Sequence, residues 1–192
     1  MASDIVPEKL TVMGKENTDY LLSLFRTIPG FPKAGIKFRD YMPLLADAKG
    51  LGILLEALDR ALPVPADQID AIAGLEARGF LIGVPLAARL GKGFVAVRKA
   101  GKLPPPVEHA DYSLEYGTAS LEIEEGIIRP GTRVLIVDDL IATGGTAHAA
   151  KTLIESVGAT VCGYSFIMRL DGLDGCDQLG DAPISSLVSM PA

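Results

Sequence analysis

The chain has 192 residues, 48% of them hydrophobic and 22% charged, with a net charge of −6 at pH 7. That length and apolar share describe a well-buried domain rather than a disordered chain, and the acidic balance argues against general nucleic-acid binding. No apolar stretch reaches the roughly 18 residues of a membrane helix, the N-terminus shows no secretory pattern, and two cysteines, Cys162 and Cys176, suit reduced thiols in a cytoplasmic protein better than a disulfide framework.

In chain order, Thr18 to Thr27 reads as a short amphipathic helix built on Leu21, Leu22, Leu24 and Phe25, stopped by Pro29-Gly30-Phe31-Pro32. Phe31 to Tyr41 reads as an irregular aromatic and basic segment. A second helix is predicted from about Asp47 to Leu62, with Asp47 as its N-cap and Pro63 and Pro65 closing it. From there strand and helix patterns alternate. Asp70 to Ala73 is strand-like, and Arg78-Gly79 opens a helix to about Leu90, capped by Gly91. Phe94 to Val97 is the next strand, followed by Arg133 to Val137, a helix from Ala147 to Val157, and a strand from Thr160 to Met168. This alternation predicts an α/β fold, a mainly parallel sheet with helices on both faces.

One segment departs from the alternation. Pro104-Pro105-Pro106, Asp111 to Gly117 and the alternating run Ala119 to Glu124 predict a hairpin excursion over 99–124. Its base carries the cations Arg98-Lys99-Ala100-Gly101-Lys102, which in an acidic chain points to an anionic partner. Long excursions between sheet strands are where lids occur, and a solvated surface hairpin is the plainer alternative.

The most informative run is Val134 to Thr146. Four apolar residues lead to Asp138-Asp139, then a loop, Ala142-Thr143-Gly144-Gly145-Thr146, opens a helix. At the carboxyl end of a strand in an open α/β sheet, such a helix N-terminus offers free N–H groups to an anion. Gly144 and Gly145 allow close backbone approach, and Thr143 and Thr146 add hydroxyl donors. Two adjacent carboxylates suit a polyol such as ribose, or a metal carried by the ligand. Neither a P-loop nor a dinucleotide fingerprint occurs here, and the combination predicts a sugar phosphate.

These residues resemble the phosphoribosyl-pyrophosphate signature of the type I phosphoribosyltransferases. Phe31 to Asp40, Gly74-Leu75-Glu76-Ala77-Arg78-Gly79-Phe80, Arg98 to Pro104 and Tyr112 to Gly117 are similar, in order and spacing, to the adenine phosphoribosyltransferase branch. The resemblance covers about Asp19 to Val188. It implies one domain over 1–192, with a small N-terminal hood (1–45) and a flexible β-hairpin lid (99–124). The implied reaction joins adenine to phosphoribosyl pyrophosphate, giving AMP and pyrophosphate, with Mg²⁺, in a cytoplasmic homodimer.

The resemblance also implies roles. Ala142 to Thr146 would hold the 5-phosphate, and Asp138 and Asp139 would face the ribose hydroxyls. Arg78, Lys99 and Lys102 would bind pyrophosphate, with a loop cation reaching across the dimer. Mg²⁺ would sit mainly on substrate oxygens and water, with no dedicated protein ligand set. Glu115 would act as general base at the purine or as stabiliser of the cationic sugar, and Tyr116 would help close the lid. Backbone at Lys37 and Phe38 and the side chain of Arg39 would contact adenine; a surface position or a pair with Asp40 stays open for Arg39. Lys37 departs from the usual apolar residue, and Glu76 and Ala100 are milder departures. His109 and His148 have no assigned role. The alternatives are another purine base, or a non-catalytic sensor of phosphoribosyl pyrophosphate.

Overall fold

The computed structural model describes residues 4–31, 33–114 and 117–192, with the side chains of 112–119 set aside. The chain starts with a two-residue strand, β1 (Val6–Pro7), and a 3₁₀ turn over Lys9–Met13 that runs into helix α1 (Gly14–Leu24). Helix α1 therefore begins earlier than Thr18 and ends before Phe25, whose backbone is extended (φ −70°, ψ 138°). Beyond it, β2 (Arg26–Pro29) pairs antiparallel with β3 (Lys37–Asp40). The segment expected to be irregular thus contains half of a hairpin. A four-residue strand carrying Lys37, Arg39 and Asp40 has too little apolar alternation to be recognised. The hairpin is tied by Arg26, which donates through Nε to Asp40 Oδ2 at 3.0 Å.

Helix α2 (Met42–Ala46) and helix α3 (Ala48–Arg60) follow. Asp47 caps α3 as expected, accepting from Gly50 N–H at 2.6 Å and also from the Tyr20 hydroxyl at 2.9 Å. The remaining elements are β4 (Ala71–Leu75), α4 (Arg78–Leu90), β5 (Gly93–Lys99), β6 (Val107–Leu114), β7 (Gly117–Glu124), β8 (Arg133–Ile141), α5 (Gly145–Ser156), β9 (Thr160–Asp171) and β10 (Ile184–Pro191). Gly91 ends α4 in the left-handed region at φ 65°, the conformation that favours glycine.

One eight-stranded sheet runs in the order β1-β10-β9-β8-β4-β5-β7-β6. Strands β10, β9, β8, β4 and β5 are mutually parallel, so their carboxyl ends share one edge. The excursion 99–124 is a hairpin, as expected, but it is also part of this sheet. Its β7 pairs antiparallel with β5 through Arg98↔Glu122 and Lys99↔Leu121. The hairpin also packs against α5. Strand β10 had no counterpart in the sequence reading, because its serines (Ser185, Ser186 and Ser189) are buried and mask its apolar pattern.

Alternation along β8 divides the core. Val134 and Ile136 join the cluster under α5, while Leu135 and Val137 join the cluster under α1, α3 and α4. This is the period-two geometry of a strand covered on both faces. At the amino end of the sheet, Arg133 locks β8 to the start of β4. Its backbone N–H and Nε both donate to Asp70 Oδ2, at 2.8 and 2.9 Å, and Nη2 reaches the Asp67 carbonyl at 2.8 Å. The hydrogen bonds from Arg133 hold the Asp70 carboxyl well below its usual range.

Asp47→Ala should remove the α3 cap at a cost of about 1 kcal/mol. The melting temperature should fall by roughly 2–4 °C. A thermal melt checks this, and a shift below 1 °C would show that the cap contributes little.

Candidate active site

The carboxyl ends of β4 and β8 meet the amino ends of α4 and α5. Helix α4 starts so close to β8 that a Cβ on Gly79 would stand 2.7 Å from the Val137 carbonyl oxygen and 3.0 Å from Asp138 Oδ1. Only glycine permits that approach, and it brings the neighbouring Arg78 onto the acid pair. Arg78 Nε lies 2.9 Å from Asp139 Oδ2, a carboxylate only 2% exposed. That oxygen has no aligned hydrogen bond among the described residues, while Asp138 Oδ1 accepts the Asp139 N–H at 2.9 Å.

Strand β8 does not stop before the acids, as the sequence suggested. It continues through them to Ile141, because Asp138 and Leu140 still pair with Phe166 and Met168 of β9. The two carboxylates thus sit on a rigid strand. Burial pushes Asp138 well above the usual carboxylate range, and the Asp139 charge beside it adds to the rise. Burial also raises Asp139, opposed by Arg78.

Next to the acids the chain turns through Ala142-Thr143-Gly144-Gly145-Thr146 into α5. Gly144 is left-handed at φ 82° and caps α5 with no side-chain acceptor. The first N–H groups of α5 therefore have no side-chain cap, which leaves a binding place for an anion. Arg78, Asp138, Asp139 and loop 142–146 line one cavity of about 230 Å³, joined by Phe166 from β9. The structure thus brings together eight of the expected site residues.

The basic loop lies outside that cavity. Lys99 closes β5 and Lys102 follows it, both exposed. Their anchor is Glu76, which accepts the Lys99 N–H at 2.8 Å and lies 3.3 Å from Arg98 Nη2. Burial pushes Glu76 up, but these donors outweigh it and hold its pKa below the usual glutamate value. Glu122 of β7 accepts the Gly101 N–H at 2.9 Å, and Arg98 Nη1 donates to the Lys102 carbonyl at 3.0 Å. Glu76, a departure in sequence terms, proves to organise the loop.

In the hood, Phe38 faces the cavity's cation, with Arg78 Cζ 5.7 Å from its ring and Phe31 edge-on at 5.2 Å. Arg39 is buried, and its partner is neither Asp40 nor solvent. It donates to both carboxylate oxygens of Asp4, at 3.0 and 2.6 Å, and to Thr27 Oγ1 at 2.7 Å. Lys37 Nζ stands 3.6 Å from the same carboxylate. Hydrogen bonding to Arg39 draws Asp4 down to about 2, so this bridge stays charged throughout the physiological range. Glu115 and Tyr116 lie outside the described residues, as does Pro32 of the hood loop.

Sequence reasoning missed Phe166 and Tyr41. Tyr41 is buried, its hydroxyl has no hydrogen-bond partner among the described residues, and burial together with the Asp139 charge raises its pKa. A single tyrosine after a charged strand carries no signal of that placement.

A carboxyl whose pKa rises on folding keeps its proton after the unfolded chain has lost it. Stability contributed by such a group falls as pH rises from about 4 through the native pKa, and stays lower above it. Asp138→Asn removes this penalty and keeps an acceptor for the Asp139 N–H. Its melting temperature should exceed the parent's by roughly 2–4 °C at pH 8, with a smaller gain at pH 4. Equal gains at both pH values in calorimetry would contradict the buried-charge account.

A phosphoribosyl transferase domain matches residues 54–169. An adenine phosphoribosyltransferase of Bifidobacterium longum subsp. infantis is 64% identical over 190 residues, covering 99% of this chain and 98% of that one. The crystal structure of adenine phosphoribosyltransferase from Thermoanaerobacter pseudethanolicus superimposes with a TM-score of 0.85 at 49% identity, covering 90% of this chain and 99% of the other. The Saccharomyces cerevisiae enzyme, crystallised with an imino-altritol bisphosphate and adenine, gives 0.82 at 43% identity, with 90% and 98% covered. With this fold, this cavity and these relatives, the chain belongs to the adenine phosphoribosyltransferase family.

Proposed function

We propose that this chain transfers the 5-phosphoribosyl group from phosphoribosyl pyrophosphate to adenine, giving AMP and pyrophosphate in purine salvage. The observation that carries the reading is the shared cavity. The uncapped amino end of α5, two buried carboxylates and Arg78 all open onto one space. An anion, a diol and a leaving pyrophosphate are what those three groups would respectively hold.

Ala142 to Thr146 bind the 5-phosphate through N–H and hydroxyl donors. Asp138 and Asp139 accept from the ribose hydroxyls. Displacement at the anomeric carbon passes through an oxocarbenium-like state, so charge must be neutralised on the departing pyrophosphate. Arg78 does so from the amino end of α4, with Lys99 and Lys102 from the loop anchored on Glu76. Among the described residues no group of three or more His, Cys, Asp or Glu side chains is arranged for a metal. Asp138 and Asp139 are the carboxylates lining the cavity, and the Asp139 oxygen without an aligned donor fits an Mg²⁺ shared with substrate oxygens. Such an ion supplies Lewis-acid neutralisation of the pyrophosphate oxygens.

Glu115 takes up the proton from the attacking purine or stabilises the cationic sugar, and Tyr116 helps exclude water; both roles rest on the family resemblance. Phe38 packs on the base, with backbone at Lys37 and the Arg39 side chain completing the adenine pocket. With Arg39 already held by Asp4 and Thr27, its contribution is a fixed wall rather than a mobile donor. The protein works as a homodimer in the cytoplasm, where Cys162 and Cys176 stay reduced, and residues 1–192 act as one catalytic unit.

Pyrophosphate release is measured with Mg²⁺ and phosphoribosyl pyrophosphate, offering adenine, hypoxanthine, guanine and xanthine separately. Turnover with adenine is expected. Turnover only with another base would move the hood's specificity, and ligand binding without turnover would make the protein a sensor. In the same assay Glu115→Ala should lower kcat about 100-fold with little change in the phosphoribosyl pyrophosphate KM. Wild-type turnover would remove Glu115 from the mechanism.

A further inference from the structure

Between β9 and β10 the chain folds a turn against the back of the phosphate loop. A Cβ on Gly175 would overlap the Ala142 carbonyl oxygen and stand 2.8 Å from the Gly144 nitrogen. Conversely, a Cβ on Gly144 would overlap the Gly175 carbonyl oxygen and lie 3.1 Å from its Cα. The two backbones meet with no side chain between them. Gly144 also has a left-handed φ, whereas Gly175 is not among the positive-φ glycines. Space alone therefore demands glycine at 175.

The turn is held from several sides. Gly172 (φ 86°) and Asp174 (φ 49°) bend it, and the Asp177 N–H closes on the Asp174 carbonyl at 3.1 Å. Leu179 is fully buried in the cluster that packs α5. His148 Nδ1 donates to the Gln178 carbonyl at 2.9 Å and Lys151 Nζ to the Leu179 carbonyl at 3.3 Å, both from α5 itself. The turn and the helix whose amino end forms the anion site are thus one packed body.

We propose that Gly175 is a positioning residue for the 5-phosphate site, the surface against which Ala142 to Gly144 set their N–H groups. A cradle of backbone donors works only when each is fixed within about 0.5 Å. A loop containing Gly144 and Gly145 has little stiffness of its own. Gly175 supplies it by contact from behind, leaving the front of the loop to the ligand. This inference rests on the phosphate-site reading given above.

The test compares binding of AMP and adenosine, which differ by the 5-phosphate alone, in the parent and in Gly175→Ala, by calorimetric titration with a thermal melt of each protein. The parent should favour AMP. Gly175→Ala should weaken AMP roughly tenfold or more, leave adenosine binding unchanged, and raise the phosphoribosyl pyrophosphate KM while the adenine KM holds. A folded Gly175→Ala protein with the parent's AMP preference would overturn the proposal. A parent with no preference for AMP would instead overturn the phosphate-site reading itself. If Gly175→Ala does not fold, the double variant His148→Ala/Lys151→Met carries the test. It should lower the AMP preference about threefold by freeing the turn, and an unchanged preference would count against the role.

Discussion

The architecture turns on a burial cost. Two adjacent carboxylates, one nearly inaccessible to water, are held at the end of a buried strand, where burial disfavours the charged form of each and the Asp139 charge further disfavours that of Asp138. One cation, Arg78, stands close enough to offset this, and it does so only because Gly79 lets α4 touch the β8 backbone. Tyr41, with a buried hydroxyl and no partner among the described residues, belongs to the same incompletely satisfied group. A site organised in this way favours a ligand that brings hydrogen-bond donors and positive charge.

Around this centre, close backbone contact replaces side-chain packing at two places. Gly79 against Val137 positions the arginine, and Gly175 against Ala142 and Gly144 backs loop 142–146. Carboxylates do the corresponding work at the basic loop. Glu76 holds the Lys99 N–H and Glu122 the Gly101 N–H. The cations there are thus presented by acids that are themselves bound to backbone. Two kinds of support result: rigid contact behind loop 142–146, and hydrogen-bonded tethers for the basic loop.

Much of this was legible in sequence, and the reasons differ by element. The helices α3 and α4 carry explicit punctuation, Asp47 at one start and Gly91 at one end, and both were located closely. The acid pair and loop 142–146 were found because strand, carboxylates, glycines and helix are consecutive in the chain. What escaped had partners far away in sequence. Asp4 on Arg39, Glu76 on Lys99 and Gly175 on Gly144 are all contacts between distant segments. Strand β10 escaped because buried serines imitate a polar surface, and the hood strand β3 because it is short and charged. The glycines at 172, 175 and 180 following a strand were a visible signal of a tight turn, though nothing in them named its neighbour.

The clamp of Arg133 on Asp70 and Asp67 has a consequence for how such a protein can diverge. It fixes the start of β8 against β4, and the parallel pairing carries that alignment to the acids at the other end. Slipping the strand by one residue would exchange its two faces, so that Asp138 and Asp139 no longer met Arg78 and loop 142–146 in the observed arrangement. The arrangement of the acid pair is therefore tied to the register of the whole strand. The hood hairpin is a separate two-stranded sheet and shares no strand with the acids. On the function proposed above, changes there would alter what is joined to the sugar without disturbing how the sugar is held, which makes residues 26–40 the part of the chain freest to adapt to other acceptors.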